Sequence, residues 1–191
     1  MNKQIRWRII SLQAMLVVIL AAASGFLFYE GNFVTSMVHD QLVAQKISFP
    51  GTDQIKAGGA LDPAKFSAEI RNYAGQAVDN GDKARVYAND FINVHLQSVA
   101  NGQTYSQVST LAQADPTNTT LAGEVATLFK GETLRSMLLN AYGWGMLGTY
   151  TTYAGIGLLV AALVVLGALV FELFIAGRKP ETLKVTQKIA A

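Results

Sequence analysis

The chain contains no cysteine, and only two of its 191 residues are histidine, His39 and His95. Disulfide staples, thiolate metal sites and cysteine nucleophiles are therefore excluded. Charge is scarce as well: 15% of residues are Asp, Glu, Lys or Arg, against about a quarter in an ordinary soluble domain. The sequence has no phosphate-binding glycine loop, no GxSxG nucleophile turn, no HExxH zinc helix and no paired catalytic acids. Internal repeats, heptad arrays and low-complexity tracts are missing too, and no basic patch outside the flanks suggests nucleic acid. These residues assign no catalytic group, cofactor or metal, and a non-enzymatic role is the first expectation.

What the chain has instead is apolar length. Half of it (51%) is hydrophobic, and mean hydropathy is positive. Ile9 to Phe28 is broken only by Ser11, Gln13, Ser24 and Gly25. At 1.5 Å per residue such a helix just crosses a hydrocarbon core of about 30 Å. Ala21-Ala22-Ala23 resembles a signal-peptide cleavage site, but the run continues through Phe26, Leu27, Phe28 and Tyr29, where a signal peptide turns polar. An uncleaved anchor is expected. A second run, from about Ile156 to Ile175, closes the stretch Thr127–Ile175, which begins with a polar helical start and a glycine-aromatic collar.

Charge orients these runs. MNKQIRWR carries Lys3, Arg6 and Arg8 without an acid, and the tail after Ala176 holds Arg178, Lys179, Lys184 and Lys188 against Glu181 alone. Between the runs, Glu30 to Tyr142 holds eleven acids and eight bases. The positive-inside rule then places both termini in the cytoplasm and residues 30–142 beyond the membrane. Trp7 on one side, and Tyr29, Tyr142, Trp144, Tyr150 and Tyr153 on the other, fit interfacial aromatic belts. The expected architecture is mainly α: a two-span transmembrane helical hairpin with a small, mostly helical extracytoplasmic domain inserted between the spans. Its parts are a cytoplasmic N-terminus (1–8), a first span (9–29), the inserted domain (30–142), a collar with the second span (143–176) and a basic tail (177–191).

Within the inserted segment, Phe33, Met37, Val38, Gln41, Leu42 and Gln45 keep a helical period, so the first helix extends about three turns past the membrane. Pro50-Gly51 and Gly58-Gly59 bracket an irregular piece with Lys46–Phe49 and Gln54–Lys56 as candidate strands. Asp62-Pro63 predicts a helix running to about Val78, and Asp82 opens another that ends at Asn101-Gly102 with a left-handed glycine cap. In this second helix Ala88, Phe91, Ile92, His95, Leu96 and Val99 form one apolar stripe, with Asn89, Asp90, Asn93 and Gln97 largely off it. A loop at Asp115-Pro116-TNTT precedes a helix that resumes near Leu121 and continues into the second run.

Three pieces, YANDFINVHLQSVANGQTYSQVS (Tyr87–Ser109), TLFKGETLRSMLLNAYGWG (Thr127–Gly145) and, more weakly, HDQLVAQKISF (His39–Phe49), resemble a family of small actinobacterial two-span membrane proteins. Members are often labelled "aromatic ring-opening dioxygenase LigA-like". The resemblance implies a two-span topology and a bacterial cell membrane, and it brings no catalytic residues. The dioxygenase label itself calls for a non-haem iron held by two His and a carboxylate. His39 and His95 are the only histidines, and they would have to converge beside Asp40, Asp90 or another acid to form such a site. A hydrogen-bonded core histidine is the commoner outcome.

Four further features invite function. Glu132 and Arg135, three residues apart on a helix, make an ion pair or, with Asn140, a polar face that a partner or the Asp82 helix recognises, with Asp90 and Asn93 approaching Arg135. Glu172 lies at membrane depth, where a proton relay competes with snorkelling toward Arg6, Arg8, Arg178 or Lys179. Ala21-x-x-x-Gly25 and Gly157-x-x-x-Ala161 fit the small-xxx-small pattern of packed membrane helices. The meeting of Phe91, His95 and Val99 with Leu128, Glu132, Arg135, Asn140 and Trp144 is the most specific expected contact. Together these residues favour an accessory or scaffold subunit in the lipid bilayer, bound to protein partners in a membrane or cell-envelope complex or to copies of itself. An extracytoplasmic lipid- or small-molecule-binding protein is the alternative, and a metalloenzyme using His39 and His95 the third.

Overall fold

The computed structural model describes residues 3–174 and is mainly helical, with no strand among them. The expected basic tail, 177–191, lies outside the described residues. Two helices dominate: α1 (Lys3–Gln45) and α6 (Thr119–Phe174). Between them come α2 (Ala68–Asn72), α3 (Gly81–Val86), a π-helical turn (Tyr87–Ile92), α4 (Asn93–Val99) and α5 (Tyr105–Ala114). Both long helices are long and apolar enough to cross a membrane. Their most apolar windows are only 11% and 17% buried, so neither run serves as a core helix of the described chain. The chain divides into two compact units, one drawn from the residues up to Glu30 and from Thr151 onward, the other Gly31–Tyr150.

In the first unit α1 and α6 run antiparallel. Near one end of the seam, the Arg6 guanidinium donates to Glu172 Oε1 at 3.1 Å and to the Glu172 carbonyl at 2.6 Å. Toward the other, Ser24 Oγ donates to the Gly155 carbonyl at 2.8 Å. Ile10, Ser24, Gly155 and Ala162 are the buried residues of this seam. The expected small-xxx-small contact is therefore corrected. Gly25 and Gly157 face open space, with nothing within 4 Å of where a Cβ would stand. The close approach is at Gly155, where a Cβ would meet Leu27 Cβ and the Ser24 carbonyl at 3.4 Å. Ser24 suits this register: its hydroxyl, in an apolar run, finds an acceptor where Gly155 exposes its backbone.

The second unit holds the core: Val38 and Leu42 of α1, Phe49, Leu61, Phe66, Ile70, Val78, Val86, Ile92, Leu96 and Val108, with Leu128 and Leu138 of α6. Burial of each large aliphatic side chain contributes about 1.5–3 kcal/mol. Phe49 stacks on Tyr73 and meets Tyr87 edge-on, and Tyr87 continues to Phe91 at 4.9 Å between centroids. Burial pushes the Tyr87 phenol above its ordinary pKa.

The segment between α1 and α3 departs from expectation. Ser48 pairs with Ala77 in a single antiparallel bridge, flanked by Phe49 N–H to the Gln76 carbonyl and Val78 N–H to the Ile47 carbonyl. Lys46–Phe49 thus finds a strand-like partner, while Gln54–Lys56 does not: a 3-10 turn, Thr52–Gln54, stands there. The helix expected from Asp62 to Val78 is reduced to α2, capped by Ser67, whose Oγ accepts from Ile70 N–H. Gly75, at φ +76°, turns the chain out of helix and into the bridge. Asp62 instead folds back locally, its carboxylate accepting from Gly58 N–H at 2.8 Å and Ala64 N–H at 2.9 Å.

Those two bonds, Gly58's the larger influence, hold the Asp62 carboxyl below the usual carboxylate range. A depressed folded pKa means that the stabilisation is complete above the unfolded value, about 4, and is lost as pH falls through the folded value. Unfolding followed by circular dichroism from pH 6 to pH 3 should therefore show an acid limb that Asp62→Asn flattens. An unchanged limb in the variant would remove Asp62 as its source.

Candidate functional site

The helix expected to open at Asp82 is capped by Asn80, whose Oδ1 accepts from Lys83 N–H. It ends at the expected Asn101-Gly102 pair, both left-handed (φ +52° and +80°), with the Gly102 N–H bonded to the Gln97 carbonyl at 2.8 Å. Its middle is not regular. The π turn at Tyr87–Ile92 lets buried residues recur every four positions: Ala84, Ala88, Ile92, Leu96 and Ala100. A pure α-helix would rotate this series steadily off one face, and one wider turn cancels the drift. This is why His95, expected on the apolar stripe, is exposed, with Phe91 and Val99 only half-buried.

The same phase shift decides what α6 meets. Leu128 is buried, and a Cβ on Gly131 would collide with the Leu96 side chain, so α4 and α6 are in contact where the sequence suggested. Arg135 pairs with Glu132 at 3.3 Å and takes Asn89 Oδ1 as its second partner at 3.2 Å; of the two residues expected to approach it, Asn93 lines the same niche and Asp90 does not. Asp90 is taken by the Ser67 hydroxyl at 3.0 Å. Arg135 Nε is buried without a partner beside a small niche of about 210 Å³ that Asn93 and Gln97 also line. Asn140 and Trp144 lie on the exposed side of α6.

The two histidines are held separately. His39 Nδ1 lies 2.9 Å from the Asp79 carbonyl, and that contact requires the ring nitrogen to donate. His95 Nδ1 lies 2.8 Å from the Phe91 carbonyl, with its ring 4.5 Å from that of Phe91 and 5.5 Å from that of Phe66. Among the described residues no group of three or more His, Asp or Glu is placed to hold a metal ion. The convergence of His39 and His95 that the metalloenzyme reading requires is not found among the described residues. Glu172 is engaged by Arg6 in the first unit.

One cavity of the second unit, about 410 Å³, was not legible in the sequence. Its walls come from α1 (Thr35, Ser36, Val38, His39, Asp40), the turn Asp79–Asp82, and α6 (Tyr142, Gly145, Met146, Thr149). Glycines shape it. A Cβ on Gly81 would stand 3.2 Å from Tyr142 Cα, and one on Gly145 would stand 3.4 Å from Gly81 Cα, so the turn lies directly on α6. Asp79 is neutralised by Lys83 at 3.0 Å. Arg85, close by with its guanidinium 6.0 Å from the Tyr142 ring centroid, is committed to Glu69, whose hydrogen bond also raises its pKa. Asp40 and Asp82 have no ion-pair partner among the described residues and are exposed.

A second concavity, about 400 Å³ and shallower, runs along α6 beside α5 and is lined by Tyr105, Phe129, Glu132, Thr133, Ser136 and Met137. Compared with protein-family models, curated proteins and solved structures, the chain matches none.

Proposed function

We propose that this chain is a non-enzymatic integral membrane protein that acts as an accessory or scaffold subunit, docking an apolar helix of another protein against the upper half of α6. In this reading both termini are cytoplasmic and Gly31–Tyr150 lies outside a bacterial cell membrane. The observation that carries it is one face of α6. Phe129, Thr133, Met137, Asn140 and Trp144 recur at helical spacing and are all exposed, with Phe129 57%, Met137 66% and Trp144 46% accessible. Phe129 and Met137 precede the apolar run that begins near Ile156 by several helical turns, so lipid is not what covers them in this topology. A row of large apolar side chains outside the bilayer is the signature of a protein contact. The groove between Tyr105 and Met137, with the Tyr105 and Phe129 rings 5.8 Å apart, offers a seat for such a helix.

A photo-crosslinking residue placed at Met137, and separately at Phe129, should yield the same discrete adduct in native membranes. Mass spectrometry should identify one partner from both positions, and Trp144→Glu should abolish both adducts. An adduct with the chain itself would make the partner a second copy. No adduct, or the same adducts from a probe at exposed Ser98, would overturn the reading.

A further inference from the structure

Independently of that docking face, we infer that the cavity between α1, the Asp79–Asp82 turn and α6 binds an organic ammonium group, either the amine headgroup of a lipid or a soluble amine. At about 410 Å³ the cavity is within the range of small-ligand sites. Its wall alternates apolar and hydrogen-bonding surface: Val38 and Met146 supply methyl contact, and Tyr142 supplies an aromatic ring. The hydroxyls of Thr35 and Thr149 are committed to the Gly31 and Gly145 carbonyls, so they present their methyl groups and lone pairs without a free proton to offer an anion.

Charge sets the sign of the ligand. Three carboxylates line the cavity and one of them, Asp79, is neutralised by Lys83, leaving Asp40 and Asp82 uncompensated. The other cation nearby, Arg85, lies over the Tyr142 ring, and its charge is offset by its ion pair with Glu69. An anion would meet net negative potential, and a cation is attracted. The kind of cation follows from spacing. A small metal ion needs oxygens converging to about 2.0–2.6 Å, and no group of three acids or histidines converges that way among the described residues. Carboxylates spread around a roomy, partly aromatic wall suit a large, weakly hydrated ammonium, which is satisfied by diffuse negative charge and ring contact.

The test uses the full chain in nanodiscs. In phosphatidylglycerol nanodiscs, saturation-transfer NMR with choline and with ethanolamine reads binding of a soluble amine. In mixed nanodiscs, native mass spectrometry reads retention of phosphatidylethanolamine over phosphatidylglycerol. Binding in either arm is expected, identifying the source, and Asp40→Asn with Asp82→Asn should weaken it about tenfold or more. Both side chains are exposed and unbonded, so the double variant should keep its wild-type melting temperature, and Met146→Trp, which fills the cavity, should block binding by a different route. Absence of binding in both arms, or binding unchanged by the double variant, would overturn the inference.

Discussion

Gly148→Leu should lower the stability of the Gly31–Tyr150 unit by about 3 kcal/mol, the upper end for overpacking a tight contact. A Cβ at this position would stand 2.8 Å from Thr35 Oγ1 and 3.2 Å from the Gly31 carbonyl. Thr35 cannot simply swing aside, because its hydroxyl donates to that same carbonyl at 2.8 Å. The two long helices must separate, which loosens the core around Val38 and Leu42 of α1 and Leu138 of α6. For a chain of this size the loss corresponds to roughly 6–12 °C in melting temperature. The comparison that gives the result its meaning is Gly157→Leu, where nothing lies within 4 Å. There the gain in helix propensity, about 0.8 kcal/mol, should leave stability unchanged or slightly raised. Thermal unfolding of both variants in detergent checks this, and equal losses would show that the glycines act through something other than close approach.

The second large effect is expected at the Arg6–Glu172 pair. Arg6→Leu leaves a carboxylate at the end of the apolar seam with no partner, and it removes the 2.6 Å bond to the Glu172 carbonyl as well. Loss of one partner from a fully buried pair costs about 3–5 kcal/mol. These side chains remain 30% and 18% accessible, so a loss of about 2 kcal/mol is expected here after solvent screening. Glu172→Gln should be milder, since the carbonyl bond survives. The double change Arg6→Leu with Glu172→Leu should recover most of the loss, because two apolar residues of similar bulk need no mutual partner. Denaturant titration of the wild type, Arg6→Leu, Glu172→Leu and the double variant completes the cycle. If the double variant is as unstable as the sum of the singles, the pair is not coupled and Glu172 has another role.

The parts of the fold that local chemistry dictates were legible in the residues. Two runs with almost no charge made two long apolar helices, and Gly102 capped where a left-handed residue was called for. A contact of the α4 segment with α6 was also anticipated, from the apolar stripe of the one and the polar face of the other, and it is made by Leu96 on Gly131. Register and phase were not anticipated. Gly25 and Gly157 matched a packing pattern, yet Ser24 and Gly155 took the seam, since a hydroxyl in an apolar run bonds a backbone carbonyl wherever the partner comes closest. Asn89 rather than Asp90 or Asn93 bonded Arg135 because one π turn rotated the face, and nothing in the 3.6-residue periodicity announces such a turn. Asp62 and Gly75 replaced a long helix with a turn and a single bridge, a choice made by pairing with Ser48 far upstream.

By itself, the sequence determined that the chain builds two helices able to cross a membrane, with a helical unit between them and no cysteine chemistry. Composition and charge act locally, so they need no partner to be read. Only the tertiary structure decided which carboxylates stay uncompensated. Asp40 comes from α1 and Asp79 and Asp82 from one turn farther along the chain, and their shared cavity exists because Gly81 rests on Gly145. Pairing of Asp79 with Lys83 and of Arg85 with Glu69 then leaves that cavity negative.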